Sequence, residues 1–97
     1  MTAHILVVED DLDLREALTD TLELAGYQIS EADCGEKALD VLALKTFDLV
    51  VSDVNMPGID GHELLARINS LYPFIPVILA TAYGNVERAV DAMRVGA

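Results

Sequence analysis

The chain has 97 residues, 53% of them hydrophobic, with six Lys and Arg against 17 Asp and Glu and a formal net charge of -11. That length holds one core and not two, and the acidic balance repels phosphate backbones and anionic headgroups, so cations and basic surfaces are the expected partners rather than nucleic acid or membrane. No basic-then-apolar leader and no apolar run of about 18 residues occurs, and the single Cys34 has no partner for an internal disulfide, so a cytoplasmic address is expected.

Taken in chain order, His4 to Glu9 is a continuous apolar strand run that ends in acids. Leu14, Leu18, Thr21, Leu22 and Ala25 then recur at helical spacing, with Gly26 closing the helix. Residues 27 to 32 read as a weaker strand, and 36 to 44 as a helix with Ala38, Leu39 and Leu42 inward. Residues 47 to 53 form a third strand, followed by the loop Asn55-Met-Pro-Gly-Ile-Asp-Gly61. Leu64, Leu65, Ile68 and Leu71 mark a third helix. Residues 76 to 81 mark a fourth strand, and Val86, Ala89, Val90 and Met93 a fourth helix fading at Gly96. Strands apolar on both faces and separated by helices belong in a parallel sheet covered on two sides. The fold class is α/β, doubly wound, and no linker or repeat divides the chain, so residues 1 to 97 are expected to form one domain.

In such sheets ligands sit beyond the carboxyl ends of the strands. Here the first strand ends in Glu9-Asp10-Asp11, the third in Ser52-Asp53 and the fourth in Thr81-Ala82-Tyr83. The charge distribution points the same way: the first 36 residues hold ten acids and one base, Arg15, while the rest hold seven acids and five bases. Carboxylates about 5 Å apart repel by roughly 3 kcal/mol at an effective dielectric near 20, which calls for a counter-charge. Mg²⁺ answers that need, because it prefers oxygen ligands and is often held by one or two carboxylates plus phosphate oxygens. No His or Cys cluster competes for a softer metal. Asp53 is the candidate nucleophile, since carboxylates form acyl-phosphate intermediates, and the Thr81 hydroxyl and loop N–H groups are placed to bond phosphoryl oxygens.

Simpler roles account for several of these residues singly. Asp11 or Asp13 reads as a helix N-cap, His4 and His62 as structural, Cys34 as a small filler, and Met56-Pro57-Gly58 as a turn. Only the joint placement of acids on successive strand ends lifts the metal reading.

With Ile5-Leu-Val-Val-Glu-Asp10, Ser52-Asp-Val-Asn-Met-Pro-Gly58, Asp60-Gly61 and Val77-Ile-Leu-Ala-Thr-Ala82, nearly the whole chain resembles the receiver domain of two-component response regulators. Stretches 80–84 and 89–93, with the Ser52 run, look most like receivers of the NtrC class of sigma-54-dependent activators, particularly the flagellar regulators. The resemblance implies a flavodoxin-like sheet of order 2-1-3-4, with a fifth strand ending in Lys-Pro and a fifth helix beyond Ala97. It implies a phosphoacceptor with self-catalysed phosphotransfer and slow autodephosphorylation, in which Asp53 takes a phosphoryl group from a sensor histidine kinase. Glu9, Asp10, Asp53 and the backbone carbonyl of Asn55 would hold Mg²⁺. Thr81 would move towards the phosphoryl group, Asn55 and Tyr83 would tune its hydrolysis, and the surface at 86–94 would change its affinity for an output domain or partner protein. Within residues 1 to 97 the only lysines are Lys37 and Lys45, both expected on the second helix.

Without the fifth strand, residues 77 to 81 would form an open apolar edge and Leu14, Leu18 and Leu22 would be half exposed. The expectation is then either a homodimer that completes the sheet, a poorly soluble fragment, or a longer natural chain. The rival readings are a haloacid-dehalogenase-type aspartyl phosphatase, which wants an acid where Asn55 stands, and a pseudo-receiver that binds without phosphotransfer.

Overall fold

A computed structural model describes residues 2–79 of the chain. Seven elements alternate in order: β1 (His4–Val8), α1 (Leu12–Leu24), β2 (Gln28–Ala32), α2 (Gly35–Leu44), β3 (Leu49–Ser52), α3 (Gly61–Leu71) and β4 (Val77–Leu79). The strands are all parallel, in the order β2-β1-β3-β4. This is the doubly wound α/β arrangement expected from the strand and helix periods. The fourth helix of the sequence reading, together with Thr81 and Tyr83, lies outside the described residues.

Alternation along each strand divides the core in two. Leu6, Val8 and Val50 join Ala38 and Leu42 of α2, Leu64 and Ile68 of α3, Phe47 and Met56 on one face. Ile5, Val7, Leu49 and Val51 meet Leu18 and Leu22 of α1 on the other. A strand that must satisfy both layers has no polar face, which is why β1 and β3 read as unbroken apolar runs. β2, at the sheet margin, carries exposed Gln28 and Glu31 instead.

Side-chain caps fix where two helices start. Asp11 has extended backbone and accepts from the Leu14 N–H at 3.1 Å, so the cap role falls to Asp11, and Asp13 adds favourable charge in the first turn of α1. Asp60 does the same for α3, accepting from the Glu63 N–H at 2.8 Å. Cys34 precedes α2 with no side-chain cap bond, consistent with a filler role. Gly26, at φ +98, lets α1 stop and turn into β2 while its N–H bonds the Glu23 carbonyl.

One expectation about α1 is corrected. Leu18 and Leu22 are 5% and 1% exposed, and only Leu14, at 41%, is half exposed. Residues four apart on a helix drift by about 40° per step, so Leu14 lies well round from Leu22 and off the sheet-facing stripe. Of the fourth strand expected over residues 76 to 81, β4 covers Val77–Leu79, partly buried at the outer side of the described sheet, and residues 80 and 81 lie outside the described residues. Lys45 is the C-cap of α2 rather than a residue within it.

Candidate metal and phosphoacceptor site

The strand register brings the acids together. Val8 lies level with Ala32 on one side and Ser52 on the other, and the ladder runs one step further through Glu9 N–H to the Ala32 carbonyl (3.1 Å) and Asp53 N–H to the Val8 carbonyl (3.0 Å). Parallel strands ending at the same height put the residues that follow them on one rim. Glu9, Asp10 and Asp53 each present a carboxylate oxygen there, all within 4.8 Å of one another. Glu9 is buried, Asp53 half-buried and Asp10 exposed. The cluster is thus rooted at one side and open to solvent at the other.

Burial makes Glu9 the sensitive member. Desolvation raises its pKa from 4.5 to about 7; the Asp11 N–H, donating to Oε2 at 3.1 Å, opposes that rise, while Asp10 and Asp53 add to it. A buried acid flanked by two more acids is a poor solution for folding alone and a good one for a hard divalent cation. The donor set consists of carboxylate oxygens only, without the His or Cys that zinc or copper sites favour. The residues fit Mg²⁺.

The neighbours of Asp53 are held in several ways. Its own Oδ1 accepts from the Val54 N–H at 2.9 Å, and the Ser52 hydroxyl donates to its carbonyl at 2.9 Å. The loop from 54 to 60 is fastened at three points. The Gly61 N–H bonds the Val54 carbonyl at 2.9 Å, Glu36 accepts from the Ile59 N–H at 3.3 Å, and the Met56 side chain is buried in the core beside α2 and α3. Gly61 packs directly on the strand exit: a Cβ there would run into the Asp53 carbonyl and come within 2.8 Å of the Val54 Cα.

Of the residues singled out in the sequence, the structure gathers Glu9, Asp10 and Asp53. Asn55 follows two residues after Asp53 on the exposed part of the loop. His4 is structural: its Nε2 is hydrogen-bonded with the Ser30 Oγ at 2.8 Å, and its ring tilts against Phe47 at 4.4 Å. His62 is exposed in the first turn of α3. Sequence reading passed over Arg15, whose Nη1 donates to the Glu9 carbonyl at 2.7 Å. Its signal was already visible as the lone base among ten acids in the first 36 residues.

A parallel sheet of order 2-1-3-4 with an acidic triad beyond its central strand ends defines a doubly wound, flavodoxin-like α/β domain. The chain matches the response regulator receiver domain family over residues 5–97 and belongs to that family. It is 60% identical over 97 residues to the response regulator protein FleR of Pseudomonas aeruginosa, covering all of this chain and 20% of that protein. It is 40% identical over 91 residues to the DNA-binding transcriptional regulator NtrC of Klebsiella pneumoniae, covering 94% of this chain and 19% of that one. The narrower likeness to NtrC-class receivers therefore holds, and the chain spans about a fifth of the length of these relatives. Among solved structures it resembles the response regulator TrrA of Thermotoga maritima in complex with Mg(2+)-BeF, with a TM-score of 0.80 and 35% identity over 99% of this chain and 83% of that one. TrrA bound to the histidine kinase ThkA aligns at a TM-score of 0.78 and 41% identity, over 86% and 71% of the two chains. Membership in the receiver family sets aside the haloacid-dehalogenase reading. Among the described residues, no helix is long and apolar enough to cross a membrane.

Proposed function

We propose that this receiver domain accepts a phosphoryl group on Asp53 from the phosphohistidine of a sensor histidine kinase, with Mg²⁺ held by Glu9, Asp10, Asp53 and the Asn55 carbonyl. The observation that carries the reading is the convergence of three carboxylates at the exits of the two central strands. Support comes from relatives that are response regulators, and from TrrA, which is known both with Mg(2+)-BeF and with a histidine kinase.

An Asp53 carboxylate oxygen attacks phosphorus as the P–N bond to the imidazole breaks, leaving an aspartyl phosphate and a neutral histidine once the ring nitrogen takes a proton. The Val54 N–H on Oδ1 turns the carboxylate and leaves its second oxygen free of that bond. A bound Mg²⁺ supplies the positive charge that offsets the acids and the transferring oxygens. The hydroxyl of Thr81 is assigned the contact with the phosphoryl group that couples modification to an output domain or partner protein. The whole of residues 1 to 97 is read as one receiver unit working in the cytoplasm in transcriptional control.

The test is phosphoryl uptake from acetyl phosphate, read by intact mass. Wild-type chain with Mg²⁺ gains one phosphoryl group, while Asp53→Asn and wild type in EDTA gain none. A folded wild type that stays unmodified in Mg²⁺, and fails to bind beryllofluoride, overturns the proposal in favour of a binding module that works without phosphotransfer.

A further inference from the structure

The acid that leads the triad is held at its N–H, its carboxylate and its carbonyl. The Glu9 N–H bonds the Ala32 carbonyl at 3.1 Å, its carboxylate takes the Asp11 N–H at 3.1 Å, and its carbonyl takes Arg15 Nη1 at 2.7 Å. The first two are ordinary ends of a strand and a turn. The third is a charged side chain reaching back six residues to a backbone oxygen, and the guanidinium is mostly buried, with 16% of its side chain exposed.

The same guanidinium is fixed at its other edge. Nε lies 3.6 Å from Glu31 Oε1 on β2, and that oxygen also accepts from the Thr19 hydroxyl at 3.1 Å. Arg15 therefore ties together the exit of β1, the second turn of α1 and the marginal strand β2. A planar fork with several donors in a rigid frame can hold two acceptors at once, whereas an ammonium is a point donor on a flexible stem. Its hydrogen bond within the site goes to the peptide oxygen of Glu9, and its ion pair to Glu31 on β2. What the contact fixes is where the Glu9 Cα sits, and with it the carboxylate.

We propose that Arg15 is a positioning residue for the divalent cation: it locks the Glu9 main chain so that the Glu9, Asp10 and Asp53 oxygens stay close enough to share one ion. This rests on the reading of that triad as a Mg²⁺ site. Residues one shell out from a metal commonly set its affinity by tenfold to a hundredfold when removed, because the ligands they aim become free to wander. Lys37 provides the control. It lines the same shallow pocket of about 270 Å³ as Arg15, with Glu31, Ala32 and Asp33, so losing it removes a positive charge from that pocket and spares the bond to the Glu9 carbonyl.

The experiment is calorimetric titration of Mg²⁺ into the purified chain, with fold checked by far-UV circular dichroism and unfolding in EDTA. The variants are Arg15→Gln, Arg15→Lys, Lys37→Gln and Glu9→Ala. Arg15→Gln is expected to raise the Mg²⁺ dissociation constant by about tenfold, Arg15→Lys by several-fold despite its retained charge, and Lys37→Gln by less than twofold. Should Arg15→Gln fail to fold, Arg15→Lys decides. Wild-type affinity in the folded Arg15 variants overturns the proposal. An equal loss in Lys37→Gln overturns it too, because it would make the effect one of net charge. If wild type and Glu9→Ala take up Mg²⁺ alike, the parent reading of the metal site fails instead, which is a separate outcome.

Discussion

Replacing Glu9 by Gln should stabilise the protein, and by an amount that depends on pH. The native carboxyl titrates near 7 and an unfolded one near 4.5, so the folded state holds a proton that the unfolded state releases between those values. Stability therefore falls as pH rises from 4.5 to 7 and then levels off, with both forms ionised. At about 1.4 kcal/mol per pKa unit, the charged side chain costs the native state about 3 kcal/mol near pH 8 and about 1 kcal/mol near pH 5. Gln keeps an oxygen for the Asp11 N–H and offers N–H groups to the carboxylates of Asp10 and Asp53, so most of that cost should be recovered. Urea denaturation in EDTA at the two pH values measures it, with a gain near pH 8 about 2 kcal/mol larger than near pH 5. Mg²⁺ near pH 8 should stabilise wild type and narrow its gap to the variant. An equal gain at both pH values, or a loss, would refute the idea that desolvation of a buried charge sets the energy of this site.

Other outcomes follow from the packing. Gly61→Ala should cost about 1–3 kcal/mol and disturb the NMR signals of Asp53 and Val54, because the new methyl must displace strand-exit backbone rather than a flexible side chain. Ile68→Ala, at a fully buried position on α3, should cost about 2–5 kcal/mol in chemical denaturation. Asp11→Ala should cost about 0.5–2 kcal/mol by unfreezing the first turn of α1, and Asp11→Asn should recover most of it.

The order of elements was legible because each strand must feed two core layers and each helix only one. Ile5 to Val8 shows no alternation, while Leu64 and Ile68 show a helical step, and both patterns survive folding intact. The triad was legible for a related reason. Parallel strands of matched register end together, so acids placed just after apolar runs must meet. The exposure of Leu18 and Leu22 was misjudged, because Ile5, Val7, Leu49 and Val51 of the two central strands pack against them. The hold of Glu36 on Ile59, 23 residues away, and of Arg15 on a peptide oxygen could not be read, since neither leaves a periodic trace. Whether Asp11 or Asp13 capped α1 was settled only by which of them had extended backbone.

The two-sided demand on β1 has a consequence for how this family can vary. With Ile5 and Val7 committed to one layer and Leu6 and Val8 to the other, swapping one aliphatic for another of similar volume leaves both layers filled. Adding or deleting a single residue within the strand would exchange the layers and, in the same stroke, carry Glu9 out of reach of its companions. Natural variants should therefore differ freely in the identity of these four side chains and almost never in their number, because chemistry and burial are counted on the same ruler.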